Sequence, residues 1–337
     1  IALGLSDLPI EAIGVPDTSP ILHTRNLECR NTLNINNQLT TYFPGYLVAA
    51  LYELQSLVNR GGFSAYVIGG NVRDVLLYQS RLLDIPDVDL TIQGDALSSS
   101  QFIVANSRNF KVDECFAEFG TVKLTYKDTI QFDVASTRKE VYRACSALPE
   151  IVELGVPLAE DIIRRDFSVN ALALSVNNLG HILDHSNGIE DIEKRVIRVL
   201  HPVSFFEDPS RILRAFKFVS RLDFKLSSAT KRLIHQFLKH GHTVYNGGGE
   251  RIKDELREFL TNPENATKTQ WIETFSQYNG IRLGNMALPA QPPLEQGAQH
   301  GQSTLTQRLA IIRKWLPDIE STLGQLYTAE TLQWVLY

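Results

Sequence analysis

Apolar residues across positions 46–58 recur at three- and four-residue steps, with Glu53, Gln55 and Ser56 between them. The spacing predicts an amphipathic helix over residues 41–60. The period then changes. Positions 65–68, 88–92, 121–126 and 130–135 are short β-rich runs, and the polar pair Lys127 and Asp128 between the last two is a hairpin signal. Helical spacing returns after Gly70 and across 97–107, which makes this region a small α+β unit. Beyond Arg164 the pattern is mostly helical, at 205–222, 227–240, 250–260 and 303–316. Residues 280–302 are rich in Pro, Gly, Gln and Ala and read as a loop or linker. The expected organisation is an extension without clear period (1–40), a mixed-sheet head with helices (41–165), an all-α neck (166–270) and a helical body with a partial tail (271–337).

The 337 residues are 43% hydrophobic and 21% charged, which suits a globular chain of about two domains. No run approaches the ~20 apolar residues that a membrane span needs. Cys29, Cys115 and Cys145 are an odd number without C-x-x-C spacing. That argues against a disulfide framework or a structural zinc site and points to a reducing, cytoplasmic compartment. The chain starts at Ile1 with no leader-like pattern, and reads as trimmed or as a fragment. A net charge of −5 speaks at first against nucleic acid, but residues 194–239 hold 11 Lys/Arg against 3 Asp/Glu. A basic segment inside an acidic chain suggests one positive face that could hold phosphates.

The most informative stretch runs from Tyr66 through Gly69, Gly70, Asn71, Arg73 and Asp74 to Asp87-Val88-Asp89-Leu90-Thr91-Ile92. Side chains alternate along a strand, so Asp87, Asp89 and Thr91 share one face and Val88, Leu90 and Ile92 the other. Two adjacent carboxylates repel unless a cation lies between them, and hard oxygen ligands suit Mg²⁺. Gly69-Gly70 ends a strand and opens a helix, a place where backbone N–H groups can meet an anion. Arg73 lies one turn further on, within reach of a phosphate. Asp133, in the alternating run Gln131–Ala135, is a third candidate if its strand lies beside the first, which would match a two-metal site. Each piece alone is commonplace: Gly-Gly is usually a turn, Asp-x-Asp a solvated strand edge. Their order and the Arg between them carry the reading.

These residues resemble the nucleotidyltransferase signature of the polymerase β superfamily. Later segments narrow the resemblance to class II tRNA nucleotidyltransferases and bacterial poly(A) polymerases. Residues 164–171, Arg-Arg-Asp-Phe-Ser-Val-Asn-Ala, resemble that family's R-R-D-F-T-x-N-A motif. Asp184, Gly188 and Asp191 resemble its hinge between head and neck. Residues 207–214 resemble its E-D-x-x-R motif, and Glu250-Arg251-Ile252 with Glu255-Leu256 a weaker fifth. The match covers about residues 45–260, in the family's order. It departs from the family in Lys217, where Arg is frequent, in a longer spacing between Gly70 and Asp87, and in lacking a basic Gly-Arg-Arg-Phe-like stretch after the two aspartates.

The resemblance implies template-independent addition of C and/or A to the 3′ end of tRNA from CTP and ATP. By matching positions Asp87 and Asp89 would bind Mg²⁺, Gly69, Gly70 and Arg73 the triphosphate, and Arg165 and Asn170 the sugar or phosphate. Asp208 and Arg211 would read the base edge, with Arg214 and Lys217 in the same pocket. Residues 138–158 correspond to the family's flexible loop. Physical chemistry agrees with part of this. Asp208-Pro209 is a helix start, an Asp acceptor with an Arg donor fork can mimic a pairing base, and Arg211, Arg214, Lys217 and Arg221 share one helical side. The plain alternative is a solvated basic face. An A-adding or CC-adding specialist, or a poly(A) polymerase, would share these motifs. A non-catalytic RNA binder on the same scaffold would not need paired carboxylates. A dinucleotide-binding enzyme lacks its G-x-G-x-x-G spacing here. Oligomeric state is not legible in the sequence.

Overall fold

The computed structural model describes residues 29–78, 87–143, 147–240, 251, 254–255, 282–283 and 286–287. In chain order, β1 (Asn31–Asn34) and the short α1 (Leu39–Tyr42) lead into α2 (Gly45–Gly61). Leu47, Leu51, Leu54 and Val58 line the buried side of α2, and Gly62 ends it in the left-handed conformation at φ 71°, its N–H bonded to the Val58 carbonyl. There follow β2 (Ser64–Ile68), α3 (Gly70–Tyr78), β3 (Asp87–Gln93), α4 (Ala96–Asn106), β4 (Phe110–Phe116), β5 (Thr121–Tyr126) and β6 (Ile130–Ser136). Asp95 caps α4 by accepting from the Leu97 and Ser98 N–H groups. Lys127 and Asp128 both take positive φ (48° and 55°), the geometry of the tight hairpin their polarity predicts.

The strands form one eight-stranded sheet in the order β1-β10-β9-β2-β3-β6-β5-β4, where β9 is Leu172–Ser175 and β10 is His181–Asp184. All pairs are antiparallel except β3 with β6. That parallel pair sets Asp87 opposite Gln131 and Asp89 opposite Asp133. Val88, Leu90, Phe132 and Val134 fill the other face with essentially no exposure. The sheet reaches past both expected limits of the head. Asn31–Asn34 add an edge strand from within the stretch set apart as an extension, and β9 and β10 lie beyond residue 165. Both extensions are strands of four residues, and those of β9 are all buried, with no apolar–polar alternation to read.

Residues 138–158, the segment matched to a flexible loop, carry an antiparallel pair, β7 (Arg138–Val141) with β8 (Glu150–Leu154), and the start of α5 (Leu158–Ile163). After the sheet come α6 (Gly188–Glu193), β11 (Val196–Ile197), α7 (Ser204–Glu207), α8 (Ser210–Leu222), β12 (Lys225–Leu226) and α9 (Ser228–His240). The expected helix at 205–222 is thus two helices, broken at Asp208-Pro209. A Cβ on Gly188 would stand 2.3 Å from the Ser168 carbonyl oxygen, so only glycine lets α6 lie this close to the Arg164–Ala171 motif. Most of the expected helix at 250–260, and that at 303–316, lie outside the described residues. Inside the expected linker, Arg282–Leu283 pairs with Met286–Ala287.

Candidate active site

A cleft of about 600 Å³ opens between β2–α3, the Arg164–Ala171 motif and α8. Gly69, Gly70, Arg73, Asp89, Arg165, Asn170, Asp208, Arg211 and Arg214 all line it, although they come from distant parts of the chain. Asp87, Asp133 and Lys217 do not line it. Asp133 stands beside Asp89 across the β3–β6 ladder, and Asp87 lies two residues along the same face.

Gly69 turns the chain from β2 into α3 with φ +89°, and a Cβ there would lie 3.1 Å from Asp89 Oδ2. The bare backbone therefore approaches the carboxylate directly, and the first turn of α3 presents its N–H groups beside it. Asn71 ties the turn to β3 by donating to the Asp87 carbonyl at 2.9 Å. Burial raises the Asp89 carboxyl above the ordinary range. The Arg165 guanidinium opposes that rise, and Asp133 and Asp87 add to it. A carboxylate crowded by two like charges fits a divalent cation, whose arrival would relieve the repulsion. Among the described residues no ready-made group of three or more ligand side chains is assembled, so Asp87, Asp89 and Asp133 offer a donor face, not a closed cage.

The arginines are held more firmly than a solvated face would hold them. Arg73 is 2% exposed, donates to Asp74 Oδ1 at 2.7 Å and to Asn170 Oδ1 at 2.5 Å, and stacks over the Phe218 ring. Asn170 passes the connection on, its amide donating to Asp166 at 3.2 Å. Arg165 is tied to Asp161 at 2.8 Å and to Thr91 Oγ1 at 3.2 Å. Burial works against charge on Asp161, but Arg165 and Arg164 prevail and hold its carboxyl below the usual range.

On α8, Ile212 and Phe216 are buried as the spacing predicts, but Arg211 is only 5% exposed, which overturns the solvated-face alternative for this residue. Its guanidinium donates to Ser204 Oγ and to the Arg164 carbonyl, both at 2.7 Å. A guanidinium carries five N–H groups, so these two bonds do not exhaust its donors. Burial disfavours its charge, while Tyr142, Glu207, Asp208 and Asp166 raise its pKa. Arg214 pairs with Asp166 and Glu255, and Lys217 with Glu255 at 2.8 Å. Asp208 is extended, just ahead of the helix. One of its oxygens takes the N–H and hydroxyl of Ser210, and the other takes Arg251 at 2.8 Å. The same Arg251 also donates to the Ala147 carbonyl at 2.8 Å, linking the β7–β8 hairpin to Asp208.

Part of the positive charge expected on one face from residues 194–239 is held in ion pairs. Arg198 pairs with Asp191, Lys194 with Glu190, Arg195 with Asp223, and Arg221 with Asp74. Most of these carboxylates come from other elements of an acidic chain, so a linear count of charge overstates the field. Sequence reasoning quoted Asp166 and Arg251 within motifs without assigning them a role. Their signal is a charged residue fixed inside a motif, but its partner lies some 40 to 100 positions away and becomes visible only in three dimensions.

Fold and cleft together define a nucleotidyltransferase head joined to a helical neck. The model for the poly A polymerase head domain matches residues 65–198. The A-adding tRNA nucleotidyltransferase of Aquifex aeolicus is 42% identical over 179 residues, 52% of this chain and 21% of that protein. The CCA-adding enzyme of Lactobacillus gasseri is 33% identical over 221 residues, 64% of this chain and 50% of its own length. A solved tRNA nucleotidyltransferase, complexed with a primer tRNA and an incoming ATP analog, superimposes with a TM-score of 0.57 at 31% identity. That match covers 82% of this chain and 71% of the solved one. The chain belongs to the class II tRNA nucleotidyltransferase and bacterial poly(A) polymerase family. It spans only between a fifth and a half of these two curated relatives. Among the described residues no helix is long and apolar enough to cross a membrane.

Proposed function

We propose that the protein is a template-independent nucleotidyltransferase that adds C and/or A residues to the 3′ end of tRNA from CTP and ATP, in the cytoplasm. The observation that supports this reading is the close approach of the Gly69 backbone, at the start of α3, to Asp89 on a crowded carboxylate face. In this reading the RNA 3′-hydroxyl oxygen attacks the α-phosphorus. A new P–O bond forms, the α–β bridge bond breaks, and pyrophosphate leaves.

Gly69, Gly70 and the first turn of α3 receive the triphosphate, with Arg73 behind them. Arg165 and Asn170 orient the sugar and its phosphate. Asp208 accepts from an exocyclic amine and Arg211 donates to ring or carbonyl acceptors, as a pairing base would. Arg214 completes that wall, and Lys217, outside the cleft lining, holds its partner Glu255. Asp87 and Asp89, with Asp133 beside them, would hold Mg²⁺, which when bound supplies a lowered hydroxyl pKa and charge compensation at the phosphates. The protein's own part is positioning and preset electrostatics.

A second reading, addition of A alone, is favoured by the name of the Aquifex relative, which shares 42% identity. One assay separates them. Two tRNA transcripts, one ending at the discriminator base and one ending in CC, are incubated with Mg²⁺ and CTP, ATP or both. Three residues added to the first transcript support complete CCA addition, and a single A on the second alone supports the A-adding reading. A long ladder with ATP points to a poly(A) polymerase, and no extension of either overturns the proposal in favour of a binding protein.

A further inference from the structure

His201 lies between β11 and α7, is 5% exposed, and has no part in the reading above. Its Nε2 is 3.2 Å from Glu207 Oε2 and 3.4 Å from Arg211 Nη1. Its Nδ1 is buried and has no hydrogen-bond partner among the described residues. A neutral imidazole carries one N–H, and a proton on Nδ1 would be a buried donor with nowhere to go. Nε2 could accept from Arg211 Nη1 only by leaving an orphan N–H on Nδ1, so the tautomer is assigned with the proton on Nε2, which donates to the Glu207 carboxylate. Glu207 Oε2 in turn lies 3.7 Å from Arg211 Nη1, the same nitrogen that donates to Ser204 Oγ.

We propose that His201 is a positioning residue for base selection: by holding the Glu207 carboxylate it sets the angle at which the Arg211 guanidinium meets the incoming base. A buried carboxylate with a free torsion could settle against Arg211 in more than one way. The imidazole, itself buried beside α7, holds Oε2 and leaves it one. The inference rests on the reading that Arg211 contacts the base.

The test uses two amides of equal chemistry and unequal reach. In His201→Gln the side-chain NH₂ arrives near the position of Nε2, and in His201→Asn it stops near that of Nδ1. Both variants are compared with the wild type in three readouts: equilibrium binding of ATP and GTP, kcat for single-nucleotide addition, and thermal midpoint. The Gln variant is expected to keep ATP affinity and ATP-over-GTP selectivity within about threefold. The Asn variant is expected to lose about tenfold in both, the size of one charge-assisted hydrogen bond, with kcat and midpoint little changed.

Unchanged binding in both variants would overturn the proposal and leave His201 a space-filler. Equal losses in both, following the thermal midpoint, would overturn it in favour of a purely structural role. Arg211→Lys, measured alongside, separates the two layers. If it leaves selectivity intact, the base-reading assignment itself falls. If it costs selectivity while His201→Asn does not, only the role of His201 falls.

Discussion

Asp166 Oδ2 accepts two N–H groups from Arg214, at 2.6 and 3.0 Å, so the Arg164–Ala171 motif and α8 share one ion pair, its carboxylate 10% and its guanidinium 35% exposed. Oδ1 of the same carboxylate takes the Phe167 N–H at 2.7 Å and the Asn170 amide. Burial opposes the charge, but Arg214 and these hydrogen bonds prevail and hold the Asp166 carboxyl below its ordinary range. A depressed native pKa stabilises the fold above the unfolded value, near 3.9, and that contribution is lost as pH falls through the native value. Asp166→Asn is therefore expected to cost about 1–3 kcal/mol at neutral pH, because Arg214, about a third exposed, keeps only its Glu255 partner. It should also flatten the fall in denaturant midpoint below about pH 4. An acid limb as steep as the wild type's would assign the pH dependence to other carboxylates.

Asp89 behaves in the opposite sense. Its carboxyl is raised, so its ionisation above the unfolded pKa costs stability instead of adding it. Asp89→Asn is expected to raise the thermal midpoint of the metal-free protein slightly. It should also abolish the further rise expected of the wild type with Mg²⁺, and lower the proposed nucleotide addition by at least about 10²–10³-fold. Turnover retained in that variant would remove Asp89 from the chemistry.

Two glycines separate architecture from activity. Gly188→Ala drives a Cβ to 2.3 Å from a carbonyl oxygen and is expected to destabilise by about 1–3 kcal/mol through displacement of α6. Gly69→Ala meets a positive φ of 89° and the Asp89 carboxylate at 3.1 Å. Its strain is about 1–2 kcal/mol, and its larger effect is expected on triphosphate affinity. Thermal melts beside nucleotide titrations check the split, and equal effects of the two substitutions on binding would contradict it.

Arg251 touches both Asp208 and the Ala147 carbonyl, so its removal should be felt at two distant places. Arg251→Ala is expected to weaken nucleotide affinity about three- to tenfold and to speed amide exchange across β8. Exchange that changes elsewhere but not in the hairpin would show that the link to Ala147 carries no energy.

Much of this site is legible in the chain because strand alternation is local. Asp87 and Asp89 announce themselves against Val88, Leu90 and Ile92, and the paired positive φ values at Lys127 and Asp128 follow from a polar two-residue turn. The edge strand β4 escapes notice because six of its seven residues, from Lys111 to Phe116, are exposed, so no apolar alternation marks it. All four residues of β9 are buried on both faces, and a run of that kind has no period to read. The helical spacing on α8 correctly gathers Arg211, Arg214 and Lys217. It cannot show that their counter-charges, Glu207, Asp166 and Glu255, sink the first of them into the protein. Side-chain partnership over long sequence separation is a property of the fold, and here it turns an expected basic surface into a set of held guanidinium groups.

The first strand of the sheet has its own temporal consequence. β1 pairs with β10, whose last residue bonds the Arg30 amide. During synthesis at roughly 5–20 residues per second, the nascent edge must wait on the order of ten to thirty seconds for a partner roughly 150 residues away to leave the ribosome. Throughout that interval the backbone groups of β1 can engage another chain. A second polypeptide emerging nearby thus competes with β10 for the same strand.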